Sequence, residues 1–287
     1  MKYFFSLIIA CCFVTFQGCG GSEQSQENFD GKSTIKTLRF FAWDGITNFD
    51  AMVARTPSYS NYIIYLNPLE NGEDHFRYNA EQLEEKGAQI WYLLSATTTY
   101  PSQEYIDTAI EHIVAYNRNH TNKVLGICFD VEPWIVYDEQ NSSDTQQMWK
   151  EYLEFVQTQH QKMEQNALEL SMVIPSWLGF IPEAYPYNKR LDYEVIDRSD
   201  EVVVMDYTRN KTQFVSIVQE TLTHAATTNK DVIIALEMVQ NQNTQISFYD
   251  DPSSIEEFIT IDMNTTAFKG YAIHTLDAFV ESGIALQ

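Results

Sequence analysis

The chain from Thr37 onward is predicted to fold as a single (β/α)8 TIM barrel of the α/β class, on three observations. Eight short runs rich in β-branched and aromatic residues alternate with longer amphipathic stretches. The runs are apolar on both faces, as strands covered on both sides of a parallel sheet must be. No glycine-rich GxGxxG turn follows any run, which argues against a doubly wound open sheet, the main alternative.

The first run is LRFFAW (Leu38 to Trp43), followed by a short helix around Asn48 to Arg55. NYIIYL (Asn61 to Leu66) and AQIWYLLS (Ala88 to Ser95) are the second and third. Pro101 and Ser102 then precede a helix over Tyr105 to Asn117, with Ile106, Ile110, Ile113 and Val114 at helical spacing. The fourth run, VLGICFDVE (Val124 to Glu132), is stopped by Pro133. The helix after it, Met148 to Met163, repeats Trp149, Tyr152, Leu153, Phe155 and Val156 behind a capping-type Ser-Ser-Asp. LELSMVIPSW (Leu168 to Trp177) leads into an irregular stretch over Tyr185 to Arg198, and EVVVMDY (Glu201 to Tyr207) into a helix over Phe214 to Ala226 carrying Phe214, Ile217, Val218 and Leu222. DVIIALEM (Asp231 to Met238) and GYAIHTL (Gly270 to Leu276) complete the set. Strands alternating with helices imply right-handed parallel units, and eight of them close most economically into one barrel over residues 37–287, with no repeat or second-domain linker in view.

Barrel active sites lie at the C-terminal strand ends. Those ends offer Trp43 and Asp44, Asn67, the 95–99 segment, Asp130, Glu132 and Trp134, Ser176 and Trp177, Met205, Asp206 and Tyr207, Glu237, then His274 and Asp277. Acids concentrate on the fourth run and aromatics recur at several ends. Carboxylates do glycosidic acid/base work and aromatic faces stack on sugar rings, so the pattern points to a carbohydrate cleft. Strand alternation puts Cys128, Asp130 and Glu132 on one face and apolar Ile127, Phe129 and Val131 on the other. The apolar set suits the helix side, which turns the acids toward the barrel axis. Two carboxylates this close repel when both are ionised, so one is expected to keep its proton near neutral pH and to serve as a general acid. A structural role for the pair, capping the next helix or pairing with Arg209 or Lys211, is the competing reading. Cys128 reads as a small buried hydrophobe.

The segment GICFDVEP resembles the fourth-strand signature of the chitinase-like glycoside hydrolases, family 18, whose pattern is Asp-x-x-Asp-x-Asp-x-Glu. Its last Asp and Glu fall on Asp130 and Glu132, whereas Leu125 and Cys128 stand at the two earlier acids. LSMVIPSW and VVVMDYTRN resemble the fifth and sixth strands, Met205 and Tyr207 matching a Met-x-Tyr-Asp element whose Asp is here Thr208. In the last strand His274 stands near a position usually held by Trp. The resemblance implies a hydrolase of N-acetylhexosamine polymers that works by substrate assistance. Glu132 would protonate the leaving oxygen, Asp130 would orient the sugar's acetamido group, and Tyr207 would donate to its carbonyl. Trp43, Trp134, Trp177, Met205, Asp206, Glu237 and His274 are the expected substrate contacts. A retaining glycosidase using Glu132 and Glu237, and a catalytically silent glycan-binding barrel, are the alternatives.

The formal charge of −22, from 18 Lys and Arg against 40 Asp and Glu, repels phosphate backbones and excludes nucleic acid as a partner. Neither a metal nor a cofactor is expected, and oligomeric state is left open. At the N-terminus, Lys2 precedes an apolar run from Tyr3 to Phe16, too short for a comfortable span of about 20 residues. It resembles a bacterial lipoprotein signal, with residues 1–18 removed and Cys19 lipidated; Ile-Ile-Ala-Cys at Cys11 fits the motif better but leaves a very short apolar region. Residues 19–36, GGSEQSQENFDGKS among them, then read as a flexible tether. The expectation is an exported protein of the cell envelope, held to a membrane by lipid alone, the outer membrane in a Gram-negative cell.

Overall fold

The computed structural model describes residues 37–68, 73–97, 99–135, 142–181 and 189–286. The signal segment, the tether and Cys19 lie outside the described residues. Eight parallel strands, β1 (Thr37–Ala42), β2 (Asn61–Leu66), β3 (Gln89–Ala96), β4 (Val124–Val131), β5 (Glu169–Pro175), β6 (Glu201–Met205), β7 (Asp231–Glu237) and β8 (Phe268–His274), pair in chain order. Pairing of β8 with β1, Phe41 opposite His274, closes the barrel. The helices are α1 (Phe49–Arg55), α2 (Glu73–Glu85), α3 (Gln103–Asn119), α4 (Ser142–Gln165), α5 (Leu191–Asp197), α6 (Lys211–Thr228), α7 (Ile255–Ile259) and α8 (Leu276–Ser282). The stretch read as irregular after the fifth strand thus holds α5.

Side chains satisfy three helix starts, of which the sequence marked Ser102; the Ser-Ser-Asp expected ahead of Met148 lies inside α4, which begins at Ser142. Ser102 Oγ accepts from Tyr105 N, Asn210 Oδ1 from Gln213 N and Thr275 Oγ1 from Ala278 N. Outward-facing strand residues such as Phe40, Ile64, Tyr92, Phe129 and Ile234 merge with the helix faces into one large core.

Inward-facing residues stack in layers along the axis. At the base, Glu201 of β6 accepts from the Tyr65 hydroxyl (2.8 Å) and from Ser171 Oγ (2.9 Å). Burial pushes this carboxyl up, while the Arg39 guanidinium, itself donating to Lys269 O, opposes the shift. Above lies an apolar belt of Phe41, Trp91, Leu93, Cys128, Val173, Val203, Ile233, Ala235 and Ala272. Trp43, Met205 and Tyr207 pack on this belt at the C-terminal end.

Two strands reach the upper layer only by changing phase. Along β4, Val124 and Ile127 both face the helices, and pairing with β3 skips a residue between them, marking a bulge at Leu125–Gly126. Leu125 and Cys128 consequently both face inward although three residues apart. In strict alternation from Val124, Asp130 and Glu132 would lie on the helix side. The strand carries glycine here because an added Cβ at Gly126 would sit 1.8 Å from the carbonyl oxygen of Glu169 on β5. β8 repeats the device. Phe268 and Tyr271 both face outward across a register shift, Gly270 between them has φ +109°, and His274 is thereby turned inward.

Gly126→Ala is expected to destabilise the fold by about 3 kcal/mol in urea unfolding, because backbone cannot yield as a side chain does. Gly87→Ala, at φ +73° with open space around the new Cβ, is the comparison and should cost only about 1 kcal/mol. Equal losses would show that the β4–β5 approach is not tight.

Candidate active site

Asp130 is the last inward residue within β4, and Glu132 follows it at the lip, its backbone N–H bonded to Ala96 O (2.9 Å). Asp130 Oδ1 is buried without a hydrogen-bond partner among the described residues. Burial is the chief cause of the shift at both carboxyls: Asp130 is pushed up to about 6 and Glu132 to about 7, with the negative charge of Asp130 adding to the second. His274 pulls both back. The pair therefore titrates as one unit that holds a single proton between those values. The cations that could have neutralised it are engaged elsewhere: Arg209 binds Asp251 (2.5 Å) and Lys211 binds Glu257. The pairing with Arg209 or Lys211 that the structural reading offered is not formed; the residues just before the next helix lie outside those described.

Opposite β4, a hydrogen-bonded row joins three strand ends. Glu237 closes β7, and its Oε1 accepts from Val239 N (2.7 Å). His274 Nδ1 lies 3.1 and 3.2 Å from the two Glu237 oxygens, and the Trp43 indole N–H donates to His274 Nε2 over 2.8 Å. An indole can only donate, so Nε2 carries the lone pair and Nδ1 carries the proton given to Glu237. Burial disfavours charging of this imidazole, whereas Glu237, Asp130 and Glu132 favour it strongly enough to lift its pKa above the ordinary histidine value. The indole bond acts against that lift, because protonation at Nε2 would remove its acceptor. Tyr207 lies nearly parallel to the imidazole at 6.4 Å, and burial, then Glu237, Asp130 and Glu132, raise its phenol, which therefore stays a donor.

The structure thus brings together Asp130, Glu132, Tyr207, Glu237, His274 and Trp43, with Met205 packed beneath. Of the other expected contacts, one turns away from this group and two lie at its flank. Asp206, between inward Met205 and Tyr207, turns outward to Ser176 and the neighbourhood of Tyr271, where burial pushes it up to about 8. Alternation in MDY already carried that signal. Trp134 and Trp177 meet edge to face at 5.7 Å and pack with Trp149 and Tyr152 of α4, a cluster on the flank of the mouth. Tyr152 escaped the sequence reading as a site neighbour: its buried phenol feels both Asp130 and Glu132, yet its place in the helical repeat marked it only as core.

No protein-family model matches the sequence, and neither does any curated protein. Solved structures do share its fold. A chitinase from Chromobacterium violaceum superposes with a TM-score of 0.52 over 86% of this chain and 97% of its own, at 12% identity. A GH18 chitinase from Pseudoalteromonas aurantia gives 0.52 over 86% and 100%, at 13% identity. A GH18 chitinase from Cycas revoluta, in complex with (GlcNAc)3, gives 0.53 over 87% and 97%, at 10% identity. At such identities the likeness shows a common barrel.

The raised carboxyls have a thermodynamic signature independent of any substrate. A buried acid whose folded pKa exceeds its unfolded value favours the fold below the unfolded pKa and loses that contribution as pH rises through the folded one. For Glu132 the window runs from its ordinary 4.5 to about 7. Glu132→Gln should therefore be more stable than wild type above pH 7, by on the order of 2 kcal/mol, with a correspondingly higher melting temperature, and the gap should close in acid. Calorimetric melting temperatures across pH read this directly; a gap that does not change with pH would mean that Glu132 ionises freely.

Proposed function

We propose that the protein is a glycoside hydrolase that cleaves an N-acetylhexosamine-containing polysaccharide by substrate-assisted general acid catalysis. The observation that carries this is the Asp130–Glu132 pair, half-buried side by side at the mouth of the barrel, with Asp130 Oδ1 unpartnered among the described residues and both carboxyls pushed up by desolvation. The barrel shared with chitinases supports the same reading.

In the singly protonated pair, the proton sits on Glu132 and the charge on Asp130. Glu132 gives its proton to the glycosidic oxygen as the bond from that oxygen to the anomeric carbon breaks. The carbonyl oxygen of the sugar's own acetamido group bonds to the anomeric carbon in its place. Asp130 Oδ1, which has no partner among the described residues, accepts the acetamido N–H and stabilises the positive charge that develops there. Tyr207 donates to the acetamido oxygen and aligns it. Water then attacks the anomeric carbon as its bond to the acetamido oxygen breaks and the acetamido group is restored, and the proton lost by the water returns to Glu132. Glu237 is poorly disposed to act as a separate nucleophile, since its oxygens are taken by His274 and Val239 N. The N-terminal sequence supports export and attachment to the cell envelope through an acyl chain on Cys19, with the barrel reaching its polymer from the end of the tether.

Glu132→Gln should lower turnover of a chromogenic N-acetylglucosamine oligomer by about 10²- to 10⁴-fold while leaving binding measurable. For wild type, kcat/KM should form a narrow bell with limbs near 6 and 7, the range in which the pair holds one proton. A wild type that binds such oligomers and never cleaves them is a glycan-binding protein. Cleavage of sugars lacking the acetamido group at similar rates would rule out substrate assistance. Separately, Cys19→Ala should move the protein from the detergent-soluble membrane fraction to the aqueous one; retention in the membrane would remove the lipid anchor.

A further inference from the structure

The row from Val239 N–H through Glu237 and His274 to Trp43 leaves its central imidazole with neither nitrogen free to exchange a proton with substrate. Its output is the orientation of the indole. Trp43 follows β1 and lies past the last strand bond, its ring face parallel to Phe41 (11° between planes) with centroids 6.4 Å apart. Stacking of this kind tolerates sliding and rotation in the ring plane. The bond from the indole N–H to His274 Nε2 is what fixes the ring, and it lasts only while Nε2 is unprotonated.

We propose that His274, which faces the Asp130–Glu132 pair, is a positioning residue: it holds the Trp43 indole in a single orientation and releases it when the imidazole takes up a second proton. The consequence for sugar binding rests on the glycosidase reading above; the release of the indole does not. The groups that face the imidazole define the balance. Asp130 and Glu132 from β4 and Glu237 from β7 draw the proton in. From β1, Trp43 resists it, and the Phe41 edge at 5.7 Å adds no charge. Tyr207 from β6 lies alongside as a neutral phenol, and on the α8 side Asp277 is held by Asn48 Nδ2 (2.7 Å). Release leaves Nε2–H directed at the former donor, so the indole must turn away. A sugar face that stacked on it loses its platform on the acid side.

The test follows the Trp43 indole N–H by nitrogen-15 NMR, its signal identified by its disappearance in Trp43→Phe. In wild type the signal should be protected from exchange at alkaline pH and lose protection in a single step on acidification, with far-ultraviolet circular dichroism unchanged. In His274→Leu protection should be absent throughout. In His274→Gln the side-chain oxygen can accept from the indole while its N–H donates to Glu237, so protection should return and the acid step should vanish. The oligomer's Kd should rise about tenfold across the step in wild type and show no such step in His274→Gln. An indole that stays protected through acidification, or in His274→Leu, overturns the proposal whatever the ligand. An oligomer Kd that ignores the step overturns the coupling to binding. If the indole behaves as described and no N-acetylglucosamine oligomer binds, the glycosidase reading fails while the positioning of Trp43 stands.

Discussion

The close approach of β4 to β5 at Gly126 is the constraint on which the rest of the site depends. A closed parallel barrel offers each strand only two sides, and a single-residue slip exchanges them. β4 enters with Val124 toward the helices and would, in plain alternation, bury Asp130 and Glu132 against an apolar layer. The bulge at Leu125–Gly126 adds the residue that reverses this, and only glycine leaves room for the Glu169 carbonyl. Gly270 does the same for β8 and delivers His274. The strands that carry the chemistry are thus the ones that break the barrel's regularity, in keeping with the use of bulges to re-aim side chains beside active sites.

Once aimed, the acids have little to neutralise them. Desolvation, more than mutual repulsion, raises Asp130 and Glu132, because both sit above an apolar belt, while Arg209 and Lys211 are committed to Asp251 and Glu257. A carboxyl that retains its proton near neutrality costs the fold stability whenever that proton leaves, the usual exchange of stability for function at a reactive site. The opposite wall answers with hydrogen bonds instead of charge. Glu237 holds His274, and Trp43 makes the tautomer unambiguous by offering only a donor.

Much of this was legible in the sequence, and the limits have physical causes. All the strands and the barrel followed from periodicity, since runs apolar on both faces have few other homes. The inward direction of Asp130 and Glu132 followed from apolar Ile127, Phe129 and Val131 on the alternate face. The same rule applied to Met205, Asp206 and Tyr207 would have turned Asp206 outward. Trp134 and Trp177 were legible as strand-end aromatics beside the acids, whereas the packing of Trp149 and Tyr152 of α4 against them joins segments that no local pattern connects. The bond between Trp43 and His274 joins β1 to β8 across the closure of the barrel, 231 residues apart in sequence, and no local pattern announces such a contact. The bulges were hidden for the opposite reason: a lone glycine within a strand signals too many things.

The apolar belt between base and mouth has a further consequence. Glu201, Tyr65, Ser171 and Arg39 form a polar group below it, and the carboxyls stand above it, with Phe41, Trp91, Leu93, Cys128 and Val203 between. Cys128 is the one thiol of that layer among the described residues; it bonds to Ser171 below and feels the charges of Glu201 on one side and Asp130 on the other. The molecule is two compartments on one frame with this thiol between them, and the upper can be rebuilt by inheritance or by design while the lower continues to hold the barrel shut.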